Sequence, residues 1–173
     1  MAATTRAPRT LADGRIKLVA LTVQPKNLKS PTVDELQAGV ELSCRILKSD
    51  YKLGATASDT ISEPALCATS NTAALGPSNF EGSITAFRYL DETGKADAEN
   101  DVAWEALKEK GTLLWIAERE GPMFDQEWAV GDEVSVYEVV TDTPQKPSDR
   151  GGYIKRTVPL LVQAAAENVN VAG

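Results

Sequence analysis

The chain has 173 residues, of which 42% are hydrophobic and 25% charged, with a formal net charge of −7 and no histidine. This length suits one domain with its own core, and the composition is that of a folded protein, which excludes a wholly disordered chain. The acidic balance argues against tight binding to nucleic acid. The lack of histidine removes the commonest general base and the commonest zinc ligand, which weakens the case for an enzyme.

Charge is unevenly distributed along the chain. Residues 91–142 hold 15 acidic against 4 basic side chains, whereas residues 1–52 hold 9 basic against 5 acidic ones. This polarity suits contacts between copies of the chain, with the basic part of one copy against the acidic part of the next. A solvated acidic face is the simpler alternative.

No segment of the sequence has the pattern of a signal or an anchor. Cys44 and Cys67 are too few for a disulfide framework and indicate reduced thiols in a cytoplasmic product. The apolar runs are shorter than the roughly 18 residues of a membrane span. The first residues lack the apolar segment of a secretory signal. We therefore expect no membrane span.

The first third of the chain predicts strands separated by a helical turn. Residues 1–13 show no periodicity and predict a flexible arm. A largely buried strand is expected over 14–23, and an alternating strand over 40–47. Between them, Thr32 and Glu35 have the spacing of a capping box, which predicts a short helical turn.

The middle of the chain predicts a long hairpin or loop followed by a strand. Residues 48–63 are small and polar, which predicts a long hairpin or an extended loop. From Phe80 onward, polar and apolar residues alternate, and the phase changes at Phe87. A change of phase moves side chains to the other face, so a bulge is expected near Ala86.

An amphipathic helix is predicted over 97–110. Ala103, Trp104 and Leu107 form one apolar stripe, acidic residues crowd the first turn, and lysines occupy the last turn. We expect this helix to pack on the flank of the sheet through the stripe.

The last third of the chain predicts strands over 112–119, 129–141 and 153–165, followed by an irregular tail over 166–173. The whole indicates one domain, 1–173, that is mainly β (α+β). We expect a sandwich or barrel with one flanking helix.

No motif for catalysis, cofactor binding or metal binding is present. Phosphate-binding loops, dinucleotide-binding glycines and paired-cysteine motifs do not occur. Asp97, Glu99 and Asp101 alternate like the start of a calcium loop, but acids at a helix N-terminus explain them better. The three tryptophans are Trp104, Trp115 and Trp128. They could be ligand platforms in a small β-barrel, although tryptophan more commonly packs in a core.

Several segments together resemble the major tail proteins (tail tube proteins) of long, non-contractile-tailed actinobacterial phages, or siphophages. The resemblance lies in the order and spacing of these segments more than in any one motif. They are SDTISEPALC (58–67), ALGPSNFEGSITAFRYLDETGKAD (74–97), AWEALKEKGTLLWIAEREG (103–121), VGDEVSVYEVVTDTPQKPSD (130–149) and GGYIKRTVPLLVQAA (151–165).

The resemblance implies a structural virion protein and no enzyme. Six subunits would close a ring whose inner strands join into one β-barrel, and stacked rings would form a tube that conducts the genome during ejection. The partners implied are other copies of the chain, the tape measure, tail terminator and distal tail proteins, and DNA in transient passage. The resemblance also implies assembly in the host cytoplasm and a final place in the phage tail.

Two alternatives remain open from the sequence. One is another small phage β protein, such as a tail terminator or a head decoration protein. The other is a small-ligand-binding β-barrel that uses its tryptophans.

Two sets of residues are candidates for assembly functions. The first set consists of polar side chains on the strands at 40–47 and 80–86, on the faces opposite the apolar ones. They are candidates for the lumen of a tube, where they would offer DNA no apolar surface to bind. These residues are Glu41, Ser43, Arg45, Glu81, Ser83 and Thr85. Within residues 48–63, the large side chains are candidate anchors of an arm that docks on a neighbouring subunit: Tyr51, Leu53 and Ile61.

Overall fold

The structure, a computed structural model, describes residues 7–173 of the chain. The first six residues of the predicted arm over 1–13 lie outside the described residues, and 7–12 form neither helix nor strand. The strands are β1 (Ile16–Leu21), β2 (Val40–Glu41), β3 (Lys52–Thr56), β4 (Thr60–Ile61), β5 (Ala74–Leu75), β6 (Asn79–Phe87), β7 (Leu113–Glu120), β8 (Glu133–Thr141) and β9 (Lys155–Asn170). The α-helices are α1 (Val33–Gln37) and α2 (Val102–Leu107), and 3-10 turns occupy Ser43–Arg45 and Lys48–Asp50.

Seven of the strands form one antiparallel sheet in the order β2-β1-β7-β8-β9-β6-β3, and β4 pairs with β5. The prediction of a mainly β protein is confirmed, with an open sheet in place of a closed barrel and two short helices in place of one. β7 lies between β1 and β8, which explains why its sequence is apolar on both faces.

The chain divides into two compact units, each built from separate stretches of sequence. Unit 1 contains the described residues up to Cys44, together with Trp115–Tyr137 and Ala165–Gly173. Buried apolar side chains from β1, α1, β7, β8 and the end of the chain cluster inside unit 1: Val19, Leu21, Leu36, Trp115, Ala117, Trp128, Val134, Val136 and Val171.

The helical turn predicted from the capping box is present as α1. Thr32 Oγ1 accepts the Glu35 N–H at 3.3 Å, and Glu35 Oε2 accepts the Thr32 N–H at 2.9 Å. Backbone N–H groups of Lys26 and Thr32 that bond to the carboxylate lower the pKa of Glu35. After the helix, a Cβ at Gly39 would lie 2.7 Å from Leu21 Cδ2. A side chain at this position would force Leu21 to move, so glycine suits the close approach to β1.

The prediction of a strand over 40–47 is wrong beyond β2, where the chain forms a 3-10 turn instead. The Leu18 N–H donates to Ser43 Oγ at 2.8 Å, and the Ser43 N–H donates to Glu41 Oε1 at 2.9 Å. Side-chain oxygens thus take the place of ladder partners, and such local bonds compete with strand pairing. Alternation along the sequence cannot reveal that competition.

The prediction of an irregular tail over 166–173 is also wrong. β9 continues to Asn170, and the buried Val171 donates its N–H to the Asp132 carbonyl at 2.9 Å. The Ala172 N–H donates to the Pro31 carbonyl at 2.8 Å. The partners of these small residues come from distant parts of the chain, which local sequence does not indicate.

Unit 2 contains Arg45–Leu114 and Glu138–Ala164. Its buried apolar side chains come from β6, α2, the first part of β7, β8 and β9: Ile84, Ala86, Ala103, Leu107, Leu114, Val139, Val158 and Leu160.

The bulge predicted near Ala86 does not occur. β6 pairs with β9 in continuous register from Ser83 opposite Pro159 to Phe87 opposite Lys155. Three consecutive residues, 84–86, are buried. The change of phase in the sequence therefore reflects a strand covered on both faces and not a slip between faces.

The helix predicted over 97–110 is shortened to α2. The Asp97 carboxylate accepts hydrogen bonds from the Asn100 side-chain amide at 2.9 Å and from the Glu99 N–H at 2.9 Å. These bonds lower the pKa of Asp97. They also hold the chain in a turn before the helix begins, as aspartate side chains often do.

One partly buried hydrogen bond gives the stability of unit 1 a dependence on alkaline pH. The Tyr137 hydroxyl donates to Glu167 Oε1 at 2.8 Å, and burial together with this carboxylate raises the pKa of Tyr137. A raised folded-state pKa leaves stability unchanged below the unfolded-state pKa and reduces it above that value.

We predict that the free energy of unfolding falls as the pH rises above about 10, the ordinary pKa of tyrosine. Tyr137→Phe should remove part of this fall, because the variant lacks the ionising hydroxyl. Denaturant titrations of both proteins between pH 8 and pH 11 measure the difference. Parallel curves would contradict the assignment.

We predict that Val171→Ala lowers the free energy of unfolding by about 2 kcal/mol, because about 0.8 kcal/mol is lost per buried methylene and a cavity remains. Val130→Ala is the matched control, since Val130 is 66% exposed and should change stability by less than about 0.5 kcal/mol. Equal effects in chemical denaturation would show that the end of the chain is not part of the core.

Candidate assembly surfaces

The most exposed part of unit 2 is the tip of a long hairpin. β3 and β6 pair in register from Lys52 opposite Ser83 to Thr56 opposite Asn79. The chain between them, residues 57–78, is called the hairpin tip here, and β4 and β5 pair within it. Every residue from Asp59 to Leu75 is exposed. The long hairpin predicted over 48–63 therefore exists, but it is longer and starts after a 3-10 turn.

Hydrogen bonds shape the base of the hairpin tip. The Gly76 N–H donates to the Asp59 carbonyl at 2.6 Å, and the Asp59 N–H donates to the Pro77 carbonyl at 3.2 Å. The Asn79 amide donates to Asp59 Oδ1 at 2.9 Å and to the Ala57 carbonyl at 3.1 Å. The base is thus ordered by polar contacts, while the apolar side chains farther out lack cover.

Apolar side chains of the hairpin tip are turned to solvent. Ile61 is 53% exposed, Leu75 is 82% exposed and Leu66 is fully exposed. Of the three predicted anchors, Ile61 lies on the hairpin tip, while Tyr51 and Leu53 are half-buried in unit 2. Sequence reasoning missed Leu66 and Leu75, because isolated leucines in a small, polar stretch have no periodicity.

The predicted lumen candidates lie in different settings. Glu41 and Ser43 hydrogen-bond to each other at the end of β2, and Arg45 Nε donates to the Asn100 carbonyl at 3.0 Å. In β6, Glu81 is exposed and Ser83 half-buried.

Thr85 differs from these, because it is 1% exposed and its hydroxyl lies 2.7 Å from that of Thr157. The side chain of Thr85 is therefore enclosed within unit 2.

The three tryptophans are engaged in packing. Trp115 and Trp128 are buried in unit 1. Trp104 is half-buried on α2, and Arg88 Cζ lies 4.8 Å from the centre of its ring. Cations often stack on tryptophan in this way. The geometry gives no support to an open aromatic platform for a ligand.

Arg88 also forms the ion pair that fixes the start of α2. Its Nη2 lies 2.8 Å from Asp101 Oδ2, and its Nε lies 3.0 Å from the same oxygen. The Tyr89 N–H donates to Asp101 Oδ1 at 2.9 Å. The Asp101 carboxylate is completely buried, so it depends on these three donors for charge compensation.

A fully buried cation, Arg119 of unit 1, holds the loop of residues 121–131. Arg119 Nη1 donates to Asp132 Oδ2 at 2.7 Å and to the Glu127 carbonyl at 2.9 Å. Nη2 donates to the carbonyls of Met123 and Gln126, both at 3.0 Å. A fully buried arginine thus fixes the conformation of an exposed loop. The sequence did not single out Arg119, because it stands between Glu118 and Glu120 at the end of β7 and resembles an ordinary charged strand end.

Trp128 completes this arrangement. The Arg119 guanidinium lies 5.0 Å from the Trp128 ring centre, and Lys17 Nζ lies 5.5 Å from it. Lys17 Nζ also donates to the Gln126 carbonyl at 2.9 Å. The loop is therefore held from two strands, β1 and β7.

Neither a metal centre nor a membrane helix is found within residues 7–173. No group of three or more cysteine, aspartate or glutamate side chains is placed to hold a metal ion. No helix there is long and apolar enough to cross a membrane.

The fold is similar to that of a known tail-like particle component. A chain in the cryo-EM structure of the anti-feeding prophage (AFP) baseplate, 6-fold symmetrised, matches with a TM-score of 0.51 and 12% sequence identity, over 93% of this chain and 95% of that chain. Among curated proteins, no sequence matches this chain.

The sequence gives the family directly, since residues 4–173 match the family described as phage tail tube protein. The chain belongs to that family. It is a structural component of the virion that assembles with other phage tail proteins, and it is not an enzyme.

We predict that Asp101→Asn lowers the free energy of unfolding by about 3 kcal/mol, because removal of one partner leaves Arg88 with an uncompensated charge next to a buried amide. Asp142→Asn is the matched control. Asp142 pairs with Lys110 at 3.3 Å in an exposed position, and screening by water leaves little to lose. Similar losses for both variants in chemical denaturation would contradict the prediction.

Proposed function

We propose that the chain is the major tail tube subunit of a siphophage that infects an actinobacterium. In this proposal, six copies close into a ring, and stacked rings form a tube that conducts DNA during ejection. Family membership supports the tube. The 6-fold symmetry of the baseplate that contains a chain of similar fold supports the ring. The further partners proposed are the tape measure, tail terminator and distal tail proteins.

The exposed hairpin tip is the observation that carries the assembly proposal. Its ordering costs roughly 1–2 kcal/mol of backbone entropy per residue, and its own apolar side chains remain in water. Burial against a neighbouring copy would contribute about 1.5–3 kcal/mol for each large aliphatic side chain. Pairing of backbone groups with a neighbour adds to this. Ile61, Leu66 and Leu75 are the proposed contacts.

The acidic balance supports the passage of DNA. With a formal net charge of −7, the protein repels phosphate more than it attracts it. We propose that polar residues of the hairpin, foremost the exposed Glu81 and the half-buried Ser83, face the lumen. Thr85 is enclosed in its own unit, so it does not contribute to that surface. Glu41, Ser43 and Arg45 remain candidates from unit 1 and the adjoining turn.

Electron microscopy and mass measurement test the proposed assembly. The concentrated protein should form rings with the mass of six copies, and the rings should stack into tubes. A stable monomer at high concentration, with no tubes at any ionic strength, would overturn the proposal.

We predict that the hairpin tip becomes protected from hydrogen exchange only on assembly. In the free subunit, residues 57–78 should exchange fast, because exposed segments of this kind open easily. In the tube, exchange of the same amides should slow markedly. Fast exchange in both states would show an ordinary mobile hairpin that docks on nothing.

A pair of leucine substitutions gives a matched version of the same test. Leu66→Ser together with Leu75→Ser should weaken assembly and leave subunit stability almost unchanged, because both side chains are exposed. Leu11→Ser is the control, since Leu11 is 75% exposed and lies outside the hairpin tip. Equal assembly by all three proteins in sedimentation experiments would exclude the tip as the contact.

A further inference from the structure

The loop between β8 and β9 carries exposed cations and an exposed aromatic residue. Tyr153 is 81% exposed and Ile154 is 50% exposed. The Tyr153 ring meets the ring of Phe87 edge-on, with 5.9 Å between centroids. Lys146 and Arg150 are exposed on the same loop. Lys146, Arg150, Tyr153 and Ile154 are called the basic patch here.

Two members of the basic patch, Arg150 and Tyr153, are of residue types common in protein interfaces. Tyrosine and arginine are enriched in protein interfaces, and an ordered aromatic ring loses little entropy when a partner covers it. The loop is folded back on β9, since the Gln145 N–H donates to the Thr157 carbonyl at 2.7 Å and the Thr157 N–H donates back at 3.0 Å. The patch is therefore presented on a supported loop.

The acids of this loop form their contacts with groups outside the basic patch. Asp142 already lies 3.3 Å from Lys110, and Asp149 Oδ1 accepts the Gly151 N–H at 2.8 Å. Within residues 7–173, the side chains of Lys146 and Arg150 make no ion pair or hydrogen bond. A partner of this patch is expected to be acidic.

The loop of residues 121–131 in unit 1 has the complementary properties. Asp125 and Glu127 are exposed, and within the described chain neither carboxylate has an ion pair or hydrogen bond. Val130 exposes apolar surface beside them. Arg119 holds the backbone of this loop through the carbonyls of Met123, Gln126 and Glu127, so a partner does not have to order the loop backbone.

We infer that the basic patch of one copy docks on the loop of residues 121–131 of a second copy. One surface follows β8 in the chain and the other precedes it, so the contact joins two different surfaces. Such heterologous contacts build rings or open stacks. The inference rests on the proposed self-assembly and names the partner surfaces within it. Charge complementarity sets the orientation, and Tyr153 and Ile154 supply the apolar contact.

Two charge-reversed proteins test this contact. The first carries Lys146→Glu and Arg150→Glu, and the second carries Asp125→Lys and Glu127→Lys. All four positions are exposed, and thermal unfolding of each variant checks that it folds. Either variant alone should need a protein concentration at least about tenfold higher to assemble, since like charges then face each other. An equal mixture should assemble like the unchanged protein, because each reversed surface then meets an opposite charge.

The outcomes separate this inference from the proposed function. If the unchanged protein forms no rings or tubes, both fail. If it assembles and each variant alone assembles equally well, only the contact is wrong. Folded variants that fail both alone and as a mixture would also overturn the pairing. A lysine and arginine variant that assembles normally but loses affinity for short duplex DNA would assign the patch to nucleic acid instead.

Discussion

An open antiparallel sheet must leave two edges, and the backbone groups along those edges need partners or protection. In this protein the two edge strands are β2 and β3. β2 is kept to two residues, because the Ser43 and Glu41 side chains take over its hydrogen bonding. β3 instead extends into the hairpin tip. One edge is thus closed by local side chains, and the other continues into the most exposed segment of unit 2.

An ion pair with one buried member organises each unit: the buried member is Arg119 in unit 1 and Asp101 in unit 2. Arg119 orders a loop of unit 1 through four carbonyl and carboxylate contacts, and Arg88 joins α2 to the end of β6 through Asp101. A buried charge is tolerated only when hydrogen bonds replace its hydration. Each arginine therefore fixes the conformation of the backbone around it, which apolar packing alone would define less well.

For a structural protein of the phage tail, surfaces are the functional sites. The hairpin tip offers apolar side chains, the basic patch offers cations around Tyr153, and the loop of residues 121–131 offers carboxylates. These three surfaces differ in chemistry, so each favours a different complementary surface. The proposed assembly of rings from one kind of subunit would need this type of distinction.

The amino-acid sequence by itself determined the mainly β class, the buried strands β1, β7 and β8, the capping box of α1 and the resemblance to tail tube proteins. Each of these depends on local pattern or on the order of segments. Only the tertiary structure decided the end of β2, the continuous register of β6 and the burial of Val171, because their partners lie far away in sequence. The same holds for the assembly surfaces. Leu66, Arg119 and Tyr153 have no periodic neighbours, and exposure or burial of a single side chain is a property of the folded chain alone.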